Sequence, residues 1–167
     1  MILKINQDKM REMVSEWIFS EEKSIIELGC NDGNFAFMLN KFKIRNYIGI
    51  DIQKDKIDLA KKKLPNMNFI CCDITKNLHM LAEVTMFISF QCLEHIHEDL
   101  DVLKALKEKT KVIISVPNRP YKGHIRWFEL DGWKKRFSPY IGFNKIITIQ
   151  HPKKVNNRSF LFEGVSK

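Results

Sequence analysis

Residues 24–33 read Ser24-Ile25-Ile26-Glu27-Leu28-Gly29-Cys30-Asn31-Asp32-Gly33. An apolar run of strand length stops at an acid and a glycine. A second glycine then leads into residues 32–42, where Phe35, Phe37, Met38 and Phe42 recur at helical spacing. Strand, tight turn and helix in this order open a βαβ unit. Glycines in such a turn let the backbone approach a bound group closely, and the following helix turns its N-terminus toward the same place.

The alternation continues on both sides. Upstream, residues 6–19 place Met10, Met13, Val14, Trp17 and Ile18 on one face, a leading amphipathic helix that ends before Glu21 and Glu22. Downstream, a strand over 46–51 leads to a Lys-rich helix ending at Leu64, and a strand over 68–72 leads to a short helix or loop around 78–81. A strand over 84–90, a helix over 99–108 and a strand over 111–116, closed by Pro117, follow. The pattern predicts an α/β fold: a doubly wound, mostly parallel sheet with helices on both faces and right-handed crossovers.

Beyond Pro117 the rhythm changes. Residues 117–142 form an aromatic, basic insertion with one helix over 129–137, and two strand-like runs, 143–150 and 159–165, are expected to pair as an antiparallel hairpin at the sheet edge. No repeat or linker divides the chain, so 1–167 reads as a single domain: a leading helix (1–22), a core (24–116), a lid (117–142) and a terminal hairpin (143–167).

With 44% apolar and 29% charged residues, 167 residues can bury a sizeable core, which excludes intrinsic disorder and a small disulfide scaffold. The net charge of +8 is uneven: residues 111–167 carry 12 basic and 3 acidic side chains, residues 1–110 carry 16 and 17. Cys30, Cys71, Cys72 and Cys92 lack the spacing of a zinc site and read as reduced thiols. No apolar run is long enough to span a membrane, and a cytoplasmic location is expected.

In an open α/β sheet the ligand binds beyond the carboxyl ends of the strands. After the first strand come Glu27 and Gly29, after the second Asp51, suited to ribose hydroxyls, and after the third Asp73, suited to an exocyclic amine. Glu27-Leu-Gly29-Cys-Asn-Asp-Gly33, Tyr-Ile-Gly-Ile-Asp51, Cys72-Asp73, Cys-Leu-Glu94-His95-Ile and Ser-Val-Pro117-Asn118 together resemble the ordered motifs of class I S-adenosylmethionine-dependent methyltransferases. That family's fold is a seven-stranded, mostly parallel sheet with a terminal antiparallel hairpin. The resemblance implies S-adenosyl-L-methionine as cofactor. Glu27, Gly29 and Gly33 would surround its methionine part, Asp51 its ribose and Asp73 its adenine amine, with Ile52 and Ile74 against the adenine faces, and Cys30, Asn31 and Gln91 would complete the cofactor site. Asn31 stands where the family commonly has glycine; asparagine tolerates positive φ, so the turn should survive.

Where an acceptor must lose a proton, histidine suits the task. His95, after the fourth strand, and His124, in the lid, are the candidates, although the Leu-Glu-His segment can equally be structural in this family. Glu94, Asn118, Tyr121, Arg126 and Trp127 are expected on the substrate side. Gln91-x-x-Glu94-His95 is also similar to the metal-binding Glu-x-x-Glu-His segment of small-RNA 3′-terminal 2′-O-methyltransferases. The neutral amide of Gln91 replaces a carboxylate there, so no metal is expected. The lid's basic and aromatic residues fit a small anionic or hydroxylated acceptor best, with RNA as an alternative and a non-catalytic cofactor-binding subunit as another.

Overall fold

A computed structural model of the chain describes residues 1–18, 24–154 and 156–167. Its strands are β1 (Ile2–Lys4), β2 (Ile25–Leu28), β3 (Tyr47–Asp51), β4 (Asn68–Cys71), β5 (Met86–Phe90), β6 (Lys111–Pro117), β7 (Ile141–Gln150) and β8 (Arg158–Ser166). The helices are α1 (Gln7–Trp17), α2 (Asn34–Lys41), α3 (Lys54–Lys63), α4 (Asp99–Lys104) and α5 (Leu130–Phe137). The expected extension of the leading helix to Phe19, and its end before Glu21 and Glu22, lie outside the described residues.

One sheet runs in the order β1-β7-β8-β6-β5-β2-β3-β4. From β6 to β4 all neighbours are parallel, and β8 is antiparallel to both β6 and β7. The sheet therefore has eight strands, where the family pattern implied seven. The added strand, Ile2-Leu3-Lys4, pairs parallel with β7 and covers the outer flank of the hairpin, which consequently is not the sheet edge. Three residues are too few for period-two patterning to show.

Helix α1 starts at Asn6, whose side chain accepts the Lys9 N–H at 2.8 Å. It packs Met10 and Val14 with α2 and α3 against one face of the sheet, while α4 and α5 cover the other. Helix α4 ends four residues before the expected boundary, at Lys104. The segment after it is drawn to β8, where Ser166 O accepts the Lys109 N–H at 3.0 Å and Ser166 Oγ the Thr110 N–H at 2.9 Å. Helix α5 is anchored by Trp133 and Phe137, both fully buried, and the Trp133 indole N–H donates to Pro117 O at 2.8 Å. Strand order reverses between β2 and β5, so the crevice of this topology opens above their carboxyl ends.

Candidate active site

A cleft of about 630 Å³ lies at that reversal, walled by the residues that follow β2, β3, β4 and β5. The turn after β2 forms its floor. Gly29 has φ +78°, and a Cβ there would lie 2.6 Å from the Cys92 side chain, so both the backbone angle and the close approach require glycine. Asn31, which stands where the family commonly has glycine, also sits at positive φ, 49°. Its N–H donates to Asp51 Oδ2 at 2.9 Å, while Asp51 Oδ1 accepts the Gln53 N–H at 2.9 Å. The first turn thus orients the acid of the second strand.

Asp73 accepts the Thr75 N–H at 3.0 Å and the Thr75 hydroxyl at 2.8 Å; these bonds, the hydroxyl's foremost, hold its carboxyl below the usual range. Gly29, Asn31, Asp51, Ile52, Asp73, Ile74, Gln91 and His95 all line the cleft. Ile74 is buried there and Ile52 is 67% exposed.

The remaining residues assigned to the cofactor lie outside the cleft wall. Glu27 is buried and accepts the Tyr47 hydroxyl; burial pushes its carboxyl up to about 7, against the opposing pull of that bond. Cys30 is buried beside it, its thiol raised strongly by desolvation. Gly33, φ +82°, caps α2. These residues shape the turn from below.

Beyond β5, the cleft wall meets the lid. His95 Nδ1 lies 2.8 Å from Gly123 O and His124 Nδ1 3.2 Å from Arg119 O. A carbonyl only accepts, so both rings carry hydrogen on Nδ1 and leave the Nε2 lone pair free when neutral. The rings stand edge to face at 4.8 Å. Burial lowers the His124 pKa, with His95 adding to the effect. Glu94 lies behind them, 0% exposed, with neither carboxylate oxygen hydrogen-bonded and Oε1 3.8 Å from His124 Nε2. Desolvation raises it to about 8. Glu94, His95 and His124 each offer a donor atom within 4.8 Å of the others, a set that could hold a divalent cation as well as a proton.

Two of the lid's cations, Arg126 and Arg136, are engaged internally. Arg126 donates to Leu93 O at 3.1 Å, to Ile96 O and to His97 O at 3.1 Å, and pairs with fully buried Asp99 at 3.2 Å. Arg136 donates from Nε to the same Asp99 at 2.8 Å. Asn118 accepts the Arg158 N–H at 2.9 Å and donates to Glu129 at 3.2 Å, tying lid to hairpin. Tyr121 and Trp127 are exposed on the lid. None of Glu94, Asn118, Tyr121, His124, Arg126 and Trp127 lines the cleft itself.

Several wall residues were not singled out from sequence: Arg11 from α1, Gln53, Thr75, Phe90, His97 and Glu98. Gln53, Thr75 and Phe90 share one signal, a position at or just beyond a strand's carboxyl end; His97 and Glu98, in the loop beyond β5, and Arg11, on α1, are brought here by tertiary packing. The ion pairs of Asp99 likewise left no trace in spacing.

A doubly wound sheet with an acid closing β3, another following β4 and a glycine turn after β2, all lining one cleft, is a Rossmann-like fold of the class I methyltransferase type. A family profile described as "Methyltransferase domain" matches residues 25–113, and the chain belongs to that family. No curated protein sequence matches it. Among solved structures, magnesium protoporphyrin IX methyltransferase (ChlM) from Synechocystis PCC 6803 with bound SAM superposes with a TM-score of 0.71 at 16% identity, over 96% of this chain and 79% of that one. The methyltransferase domain of bacterial CtHen1 gives 0.69 at 19%, over 96% and 98%. N-methyltransferase NodS from Bradyrhizobium japonicum WM9, in complex with S-adenosyl-L-homocysteine (SAH), gives 0.71 at 13%, over 96% and 88%. S-adenosylmethionine is the cofactor of this domain. Among the described residues, no helix is long and apolar enough to cross a membrane.

Proposed function

We propose that the chain transfers the methyl group of S-adenosylmethionine to a small anionic or hydroxylated acceptor, with His95 as general base. One observation carries the reading: His95 lines the cleft, and its Nδ1–H is held by Gly123 O, which leaves Nε2 to take a proton. Asp51 holds the ribose hydroxyls and Asp73 the adenine amine, with Ile52 and Ile74 on the adenine faces; Gly29, Asn31 and Gln91 approach the methionine part. Glu27, Cys30 and Gly33 act by positioning the turn, and Arg126 and Asn118 by positioning the lid. Tyr121, Trp127 and His124 stand on the acceptor's side. No metal takes part.

The reaction is an in-line displacement. A lone pair on the acceptor bonds to the methyl carbon as the carbon–sulfur bond breaks, the released pair stays on sulfur, and SAH leaves. The acceptor's proton passes to His95 Nε2. Holding acceptor and methyl in line supplies much of the rate.

A nucleic-acid acceptor is the second reading, favoured by Tyr121, Ile125, Trp127 and Phe128, exposed on a lid that also carries Arg119 and Lys122. Labelled S-adenosylmethionine incubated with a panel of hydroxylated and carboxylated small molecules, and separately with RNA, tests both. Transfer to a small molecule that falls roughly 10²- to 10⁴-fold in His95→Ala, with SAH affinity kept, is the expected result. Label entering RNA alone replaces the acceptor reading, and absence of any transfer leaves a non-catalytic cofactor-binding subunit.

A further inference from the structure

We infer that Lys4, Arg119, Lys122, Lys153 and Lys154 form a docking track for the phosphate chain of a single-stranded nucleic acid, along the end of the sheet beside the cleft. It extends the nucleic-acid reading above from the lid to the strand ends beyond it, and rests on that reading for the lid's share.

Strand direction brings these cations to one end. β1, β6 and β7 run parallel to the strands of the cleft, so their carboxyl ends lie at the cleft's end of the sheet. Lys4, the last residue of β1, stands opposite Gln150, the last of β7. Lys153 and Lys154 follow in the turn between β7 and β8, where the His151 N–H donates to Asn157 O at 2.9 Å and the Lys154 N–H to His151 O at 3.2 Å. Register then sets Pro117, the end of β6, against Ser159. The next residue, Asn118, donates its N–H to Arg158 O at 3.1 Å and accepts the Arg158 N–H at 2.9 Å, which ties the start of the lid to the hairpin tip. Arg119 follows, and Lys122 precedes Gly123, whose carbonyl holds His95 at the cleft wall.

Charge and reach decide the partner. Residues 1–6, 117–124 and 150–158 contain six lysines and arginines and no aspartate or glutamate. Arg158 pairs with Glu129 at 3.9 Å; among the described residues, the other five have no carboxylate within ion-pair distance. Lys4, Lys122, Lys153 and Lys154 are exposed. Like charges gathered in this way repel one another until an anion lies across them. Four strand spacings of about 4.8 Å separate β5 from β1, so the track is about 19 Å long. One phosphate or carboxylate on a small molecule meets only part of it, whereas a chain of phosphates meets all of it. Tyr121, between Arg119 and Lys122, is the one large apolar side chain exposed among the described residues of 117–124 and 150–158. A single aromatic ring among cations suits the stacking of a base better than insertion into a bilayer.

Fluorescence anisotropy of a labelled single-stranded oligouridylate of roughly 12 nucleotides, titrated with the full chain from about 50 to about 200 mM salt, tests this. Each phosphate contact contributes about 0.7 to the fall of log affinity with log salt, so five contacts predict a slope of about −3.5. The triple substitution Lys122→Gln, Lys153→Gln and Lys154→Gln should bring the slope to about −1.4 and leave SAH affinity unchanged, which also reports an intact fold. Lys61→Gln with Lys62→Gln, on α3 at the opposite edge of the sheet, should keep the wild-type slope. Absence of binding, a slope unmoved by the triple substitution, or an equal loss in the α3 variant overturns the track. So does displacement of the strand by inorganic pyrophosphate at equal phosphate concentration, or tighter retention on phosphatidylserine vesicles. Where the strand binds as expected but label from S-adenosylmethionine never enters RNA, the track stands and only the nucleic-acid acceptor reading fails.

Discussion

Glu94 makes the stability of this protein depend on pH in a direction opposite to that of an ordinary salt-bridged carboxylate. Its side chain is fully buried and neither oxygen has a hydrogen-bond partner. Desolvation raises the carboxyl from the ordinary 4.5 to about 8, and the Arg126 charge offsets only part of that rise. The folded chain therefore holds the Glu94 proton more tightly than the unfolded chain. The stability from this group is fully present below pH 4.5 and is lost as pH rises through about 8. Each tenfold difference in proton affinity is worth about 1.4 kcal/mol, so the loss between pH 5 and 7 is about 3 kcal/mol. For a chain of this size that is roughly 6–12 °C in Tm. Glu94→Gln keeps the shape and never ionises. Thermal melts of chelator-treated wild type and Glu94→Gln, followed by circular dichroism at fixed ionic strength from pH 5 to 8, should show the variant gaining on wild type by about that amount. Glu27, also raised by burial, is present in both proteins and drops out of the difference. A Tm gap that stays constant with pH refutes the assignment of a neutral buried acid.

Gly29→Ala meets both a φ of +78° and the Cys92 side chain 2.6 Å from the new Cβ; it should lower stability by about 1–3 kcal/mol, measured by urea unfolding, and weaken SAH binding. Asp51→Ala should weaken SAH at least tenfold in calorimetry, because each lost charge-assisted hydrogen bond is worth about 1.5–3 kcal/mol; unchanged affinity removes Asp51 from the ribose role. Incubation with a strong chelator should leave methyl transfer unaltered, since Gln91 brings an amide where a carboxylate would strengthen a cation site. Loss of activity, restored by one divalent metal, would instead place a cation among Glu94, His95 and His124.

The wall of the cleft was legible where function is tied to the ends of strands. Gly29, Asn31, Asp51, Asp73 and His95 each follow an apolar run whose length and composition announce a buried strand, and topology then brings those ends together. Arg126 shows the limit of that approach. In sequence it is one more cation in a basic, aromatic lid; in the fold it joins three carbonyl groups and Asp99, so its charge holds the lid to the loop beyond β5. Lid aromatics divide in the same way: Trp133 and Phe137 are core, whereas Tyr121 and Trp127 are exposed, and composition alone treats them alike.

Periodicity and turn chemistry are local properties, and they determined by themselves the α/β alternation, the positions of the core strands along the chain, the glycine turn and the acids that close the strands. Pairing partners and charge partners are set by residues distant in the chain. Only the tertiary structure decided that Ile2–Lys4 would add an eighth strand beside β7. It alone set Asp99 between Arg126 and Arg136 and left Glu94 buried without a partner. And it brought Arg11, on the leading helix, to the wall of the cleft, because burial of Met10 and Val14 fixes the face that this helix turns to the sheet.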